Sequence, residues 1–182
     1  MEKNNLIENL VSESQKGNND AFTELILTFK TDLFKIAKMR LICEDDVEDA
    51  IQETIIQAYK NIKKVKHPQF FKAWIIKILI NQCNRIYKKS TKVTQVEYNE
   101  QINLSYIDNE ENINQMDFYI LIRTLTYNER ISLTLYYLLD FTTKEISSIL
   151  KEPEATIRSR ISRAKLKLKE IYKEENNNGQ IR

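Results

Sequence analysis

Residues 156–170 read Thr-Ile-Arg-Ser-Arg-Ile-Ser-Arg-Ala-Lys-Leu-Lys-Leu-Lys-Glu. From Thr156 to Lys169 the stretch holds six basic residues (Arg158, Arg160, Arg163, Lys165, Lys167 and Lys169) and no acid. Ile157, Ile161, Ala164, Leu168 and Ile171 fall four, three, four and three apart, the spacing of one apolar stripe on a helix. A solvated basic helix would satisfy this pattern. The preceding residues argue for more. Phe141 to Leu150 spell a short helix with Ile146, Ile149 and Leu150 inward, and Lys151-Glu152-Pro153 form a three-residue turn. Helix, short turn and basic helix make a helix-turn-helix, whose second helix enters the DNA major groove by its N-terminal half. Thr156, Arg158, Ser159 and Arg163 lie on or near the exposed face there. Arginine pairs with a guanine edge through two hydrogen bonds, and Ser and Thr bond phosphates or bases.

Composition limits the alternatives. The 182-residue chain has two Gly, two Pro, two Cys and one His. Few Gly and Pro favour helices, since those residues cost a helix about 1 and 3 kcal/mol each. No Gly-rich phosphate loop is present. His67 alone rules out a His-paired zinc site and argues against a Ser-His-Asp triad. The expectation is therefore a protein without a bound metal or cofactor. Cys43 and Cys83 lack metal or redox spacing and read as reduced, partly buried thiols of a cytoplasmic protein. The acidic, polar start Met1–Leu10 does not fit a signal peptide, and no apolar run is long enough to span a bilayer.

Charge is arranged in blocks. Residues 1–59 carry six basic and twelve acidic groups, residues 60–92 ten basic and none acidic. Residues 93–140 carry two and eight, and residues 141–173 nine and four. Two cationic blocks set apart by acidic ones predict two separate contacts with a polyanion.

Helical periodicity runs through most of the chain, with no period-two strand. Gly17 stops a first amphipathic helix. Phe22, Leu25, Ile26, Phe29, Leu33, Ile36 and Ala37 stripe a second. Asp45, with Glu48 three residues on, reads as the cap of a third. Pro68 suits the start of a fourth, Gln69 to Lys89. Residues 90–113 lose periodicity and are acidic. Thr126 with Glu129 and Thr142 with Glu145 are capping boxes of later helices. The expected fold is all-α: two small helical domains joined by a flexible acidic linker. The expected divisions are 1–89, linker 90–113, 114–175 and a disordered tail 176–182.

The segment from Leu125 to Glu170 resembles region four of the extracytoplasmic-function sigma factors. Arg130, the run Glu145-Ile146-Ser147-Ser148-Ile149-Leu150 and the run Thr156-Ile157-Arg158-Ser159-Arg160-Ile161-Ser162-Arg163-Ala164 carry the likeness. Lys151 occupies the turn position usually held by Gly, where a left-handed residue other than Gly costs about 1 kcal/mol. Asp45 to Ile62 and His67 to Lys89 resemble region two, through Asp49, Gln52 and Glu53 and through Phe71, Trp74 and Asn81. The resemblance implies a sigma factor that brings core RNA polymerase to specific promoters. In that reading Asp49, Gln52 and Glu53 bind core polymerase. Lys66, His67, Trp74, Lys77, Asn81, Arg85 and Lys88 meet melted minus-ten DNA. Thr156, Arg158, Ser159, Arg160, Ser162 and Arg163 read duplex minus-35 DNA. It implies no catalytic residues, and an anti-sigma partner of the kind often anchored in the membrane, with no membrane insertion of this chain. A stand-alone helix-turn-helix regulator is the alternative. It gives no reason for the acidic helix or for two cationic blocks.

Overall fold

The computed structural model describes residues 2–41, 43–93, 122 and 124–179. The chain divides into two compact units, Met1–Tyr98 and Asn99–Arg182. Every regular element among the described residues is helical. Most of the expected linker lies outside them, as do residues 114–121 and 123 of the expected second domain.

In the first unit, α1 (Glu2–Gln15) buries Leu10 and Val11. Gly17 takes φ 97°, the left-handed turn that glycine adopts without strain. The Asn18 side chain then caps α2 (Asn19–Arg40) by accepting from the Asp20 and Ala21 backbone N–H groups. The predicted stripe from Phe22 to Ala37 is buried along its length. Next, α3 (Glu44–Asn61) turns Val47, Ala50, Thr54 and Ala58 inward. Its cap position is Cys43, not Asp45. Cys43 is the last extended residue, so Glu44, Asp45 and Asp46 fall inside the first turn, where the helix dipole favours acids.

Two 3₁₀ turns, Ile62–Lys64 and Pro68–Phe70, lead into α4 (Phe71–Val93). Phe71, Ile75, Ile76, Leu79, Ile80 and Cys83 form its buried face, packed on α2 and α3. The Phe71 ring lies 5.6 Å from Phe29 and 5.5 Å from Trp74. Arg40 is buried and donates from Nη2 to Asn84 Oδ1 at 2.6 Å. The two cysteines differ: Cys43 is exposed and Cys83 buried. Burial pushes the Cys83 thiol up to about 11, against the opposing charge of Arg40, so it stays protonated and inert.

In the second unit, α5 (Tyr127–Tyr137) and α6 (Thr143–Leu150) open with the two predicted capping boxes. The turn follows, then α7 (Glu154–Gly179). Lys151 adopts φ 57° and ψ 45°, the left-handed geometry expected of its position. The Glu152 N–H donates to Ser147 O at 3.1 Å and the Ser147 hydroxyl to Glu152 O at 2.6 Å. These two bonds offset a left-handed cost of about 1 kcal/mol. Asp140 is also left-handed, at φ 57°, which the sequence had not flagged. The helix α7 runs on through residues 176–179, which were expected to be a disordered tail. No Gly or Pro interrupts it between Glu154 and Asn178.

Candidate nucleic-acid interface

The second unit builds its site on α7. Ile157, Ile161 and Ala164 are buried against α5 and α6, so the opposite face is turned outward. Arg158, Ser159, Ser162 and Arg163 are exposed there, and Thr156 is half-buried. The Arg163 Nε–H reaches Ser159 O at 3.4 Å. Arg158 donates from Nη1 to Glu154 Oε1 at 3.0 Å. Arg160 is set apart from the others. Its side chain is only 15% exposed and is paired with Glu152 in the turn. It braces the turn instead of joining the outward row, because its position falls beside the apolar stripe.

A second brace escaped sequence reading. Glu129 in α5 is buried, and its Oε2 accepts from the Thr126 N–H at 3.1 Å and hydroxyl at 2.8 Å. Lys167 of α7 donates to both of its oxygens, at 3.0 and 2.9 Å. The capping box thus also fastens the basic helix. Burial pushes the Glu129 carboxyl up, but the Lys167 and Thr126 hydrogen bonds outweigh it and hold the group below the usual carboxylate range. A group held low contributes stability that is full above its unfolded value, about 4.3 for Glu. That stability is lost as pH falls through the lower folded value. Amide-exchange protection of α5 and α7 is therefore expected to drop on acidification through this range. In Glu129→Gln the acid-dependent part should vanish and protection should be lower at neutral pH.

The first unit builds its site on α4 and the loop before it. Gln15 of α1 donates to Ile62 O at 3.1 Å and Val65 O at 2.7 Å, which fixes the loop bearing Lys66 and His67. Both residues are exposed, and the His67 ring meets Phe70 edge-on at 6.2 Å. Trp74 and Asn81 line an open hollow of about 310 Å³ with Gln57, Asn61, Lys64, Ile78 and Gln82. Trp74 is half-buried: it packs on Phe71 and also lines the hollow. Arg85 and Lys88 are exposed further along, and Lys77 is half-buried. Asn84, which helical spacing sets on the same arc as Trp74, Lys77, Asn81 and Lys88, instead accepts from Arg40. Gln57, Asn61 and Gln82 were not anticipated. Gln57 and Asn61 lie four apart at the end of α3, a spacing that could have marked a polar helix face. An indole, four side-chain amides and the Lys64 cation around an open hollow suit an unstacked base and its phosphate.

On α3, Asp49 and Gln52 are exposed and Glu53 is half-buried, accepting from Gln57 Nε2 at 2.8 Å. Ile56, 44% exposed, follows on the same side. An exposed apolar residue bordered by acids is suited to a protein contact more than to DNA. Among the described residues no helix is long and apolar enough to cross a membrane, and no cluster of metal-ligating side chains occurs.

Comparison with known proteins agrees with this geometry. The family profile "Sigma-70 region 2" matches residues 25–93, and "Sigma-70, region 4" matches residues 116–168. RNA polymerase sigma factor SigV of Bacillus subtilis is 27% identical over 146 residues, 80% of this chain and 87% of that protein. The ECF RNA polymerase sigma-E factor of Escherichia coli K12 is 28% identical over 172 residues, 86% of this chain and 88% of that protein. CnrH, solved with the cytosolic domain of CnrY, shares the fold at a TM-score of 0.69 and 20% identity, covering 92% of this chain and 97% of that one. The chain belongs to the sigma-70 family of transcription initiation factors. Within that family it is of the extracytoplasmic-function type, built from regions two and four.

Proposed function

We propose that this sigma factor binds core RNA polymerase through α3, holds melted minus-ten DNA on α4 and its preceding loop, and reads duplex minus-35 DNA with α7. The carrying observation is the pairing of two differently shaped cationic sites in separate units. One is an outward row of Arg158, Ser159, Ser162 and Arg163 on a single helix, with Arg158 and Ser162 also on the wall of a hollow of about 710 Å³. The other is a hollow walled by Trp74 and amides. A row on a helix fits a major groove, and a ring-lined hollow fits single-stranded bases. Lys66, His67, Lys77, Asn81, Arg85 and Lys88 are assigned to the second, and Thr156 to the edge of the first. Arg160 supports the duplex site from behind. Asp49, Gln52 and Glu53, with Ile56, form the polymerase contact. The chemistry of RNA synthesis belongs to the polymerase, and the working compartment is the cytoplasm.

RpoE of Bartonella quintana was solved in complex with the anti-sigma factor NepR, at 23% identity and a TM-score of 0.67 to this chain. We assign this chain an anti-sigma partner of its own, in keeping with such complexes. The stand-alone regulator is not favoured, because it leaves α3 and the hollow without a role.

The test is affinity for purified core polymerase. Asp49→Ala with Gln52→Ala is expected to weaken it by about tenfold or more, as truncating two central contact residues does. Minus-35 duplex binding by the free chain should be unchanged. Tight promoter binding without polymerase, or loss of DNA binding alone in this variant, would overturn the reading.

A further inference from the structure

We propose that Glu154 is a specificity-determining residue of the duplex-DNA site, a carboxylate that holds the Arg158 guanidinium in position to read a base edge. The proposal rests on the assignment of α7 to duplex reading. Residues 141–173 contain four acids: Glu145, Glu152, Glu154 and Glu170. Glu145 closes the α6 capping box, and Glu152 pairs with Arg160. Glu154 is placed differently, at the mouth of a helix otherwise free of acids for four turns.

Its Oε1 accepts from two sides. The Thr143 hydroxyl of α6 donates to it at 2.6 Å, and Arg158 Nη1 donates at 3.0 Å. The carboxylate is therefore anchored on the neighbouring helix and cannot simply follow the arginine. A guanidinium has five N–H donors in a fixed plane. One committed to Glu154 leaves Nη2 and the rest of the fork for the O6 and N7 acceptors of a guanine. An arginine already held in one plane loses less side-chain freedom when it meets the base. The same carboxylate repels phosphate, so it lowers affinity for any DNA that does not complete the arginine's bonds. Affinity is given up at every sequence, and discrimination is gained at one. A simpler role, an acid favouring the N-terminus of α7, predicts no dependence on Arg158 or on base identity.

The test uses holoenzyme assembled from the full chain and core polymerase, with promoter fragments carrying each base in turn across the minus-35 element. Glu154→Ala is expected to reduce the preference for guanine at one position by about fivefold, within the range that a single arginine–guanine pair supplies. Binding to unrelated duplex should rise by about twofold as a negative group is removed. Thr143→Val should move both in the same direction by less. In an Arg158→Ala background Glu154→Ala should no longer change base preference. A uniform loss at all positions with a lowered melting temperature would overturn the proposal, as would an undiminished effect without Arg158. If Arg158→Ala itself left the guanine preference intact, the duplex-reading assignment would fall too. If Arg158→Ala removed it while Glu154→Ala did not, only the role of Glu154 would fall.

Discussion

Holoenzyme carrying Arg158→Ala together with Arg163→Ala is expected to lose transcription from minus-35-dependent promoters by about 30-fold to over 1,000-fold, because each arginine–base pair supplies about 1–3 kcal/mol. The two side chains share the exposed face of α7 but not their supports. Arg158 is held by Glu154, whereas Arg163 leans on the backbone at Ser159. Neither contributes to the buried stripe of Ile157, Ile161 and Ala164, so the unit should keep its fold. Circular dichroism and thermal unfolding of the variant should match the parent. Core binding, which we assign to α3 in the other unit, should not change. Run-off transcription, paired with co-purification of core polymerase, reads both quantities from one preparation. A variant that still transcribed fully from such promoters would show that α7 does not carry the recognition.

The sequence disclosed what depends on position along one helix and hid what depends on a second helix. The stripes of α2 and α7 were legible because helical spacing alone decides which residues share a face. The two capping boxes were legible because their partners are three residues apart. Lys151 was legible through its place in a family pattern, and its left-handed backbone follows. The cap of α3 was misplaced because the run Cys-Glu-Asp-Asp offers several candidate oxygens. Only the extended backbone at Cys43 fixes where the helix begins. Arg160 looked like its neighbours because its charge was visible and its partner, Glu152 across the turn, was not. The Glu129–Lys167 pair spans 38 residues, and the Gln15 bond to Val65 spans 50, so no local pattern contains them. Asn84 sat on the correct arc for DNA, yet Arg40 of α2 claims it. Arg160 and Asn84 are polar side chains that helical spacing places outward and a charge in need of a partner turns inward.

Phe71→Ala is expected to destabilise the first unit by about 3–5 kcal/mol, the cost of emptying a phenylalanine-sized space in a packed core. Phe71 is fully buried and its ring touches both Phe29 of α2 and Trp74 one turn along α4. It is also the first residue of α4, directly after the 3₁₀ turn, so its packing fixes where the loop bearing Lys66 and His67 ends. Against a total stability of about 5–15 kcal/mol for a domain, such a loss leaves the unit marginal. The neighbouring Phe70 provides the control, since it is 56% exposed and replacing it should cost about 0.5 kcal/mol or less. Trp74 is the only tryptophan in the chain, and it sits against the altered site. Its fluorescence during urea unfolding therefore reports this unit alone. The Phe71→Ala transition should move to much lower urea and the Phe70→Ala transition should stay near the parent. Equal shifts for the two variants would mean that α4 is seated on the other side of its turn, and the hollow beside Trp74 would then be misplaced with it.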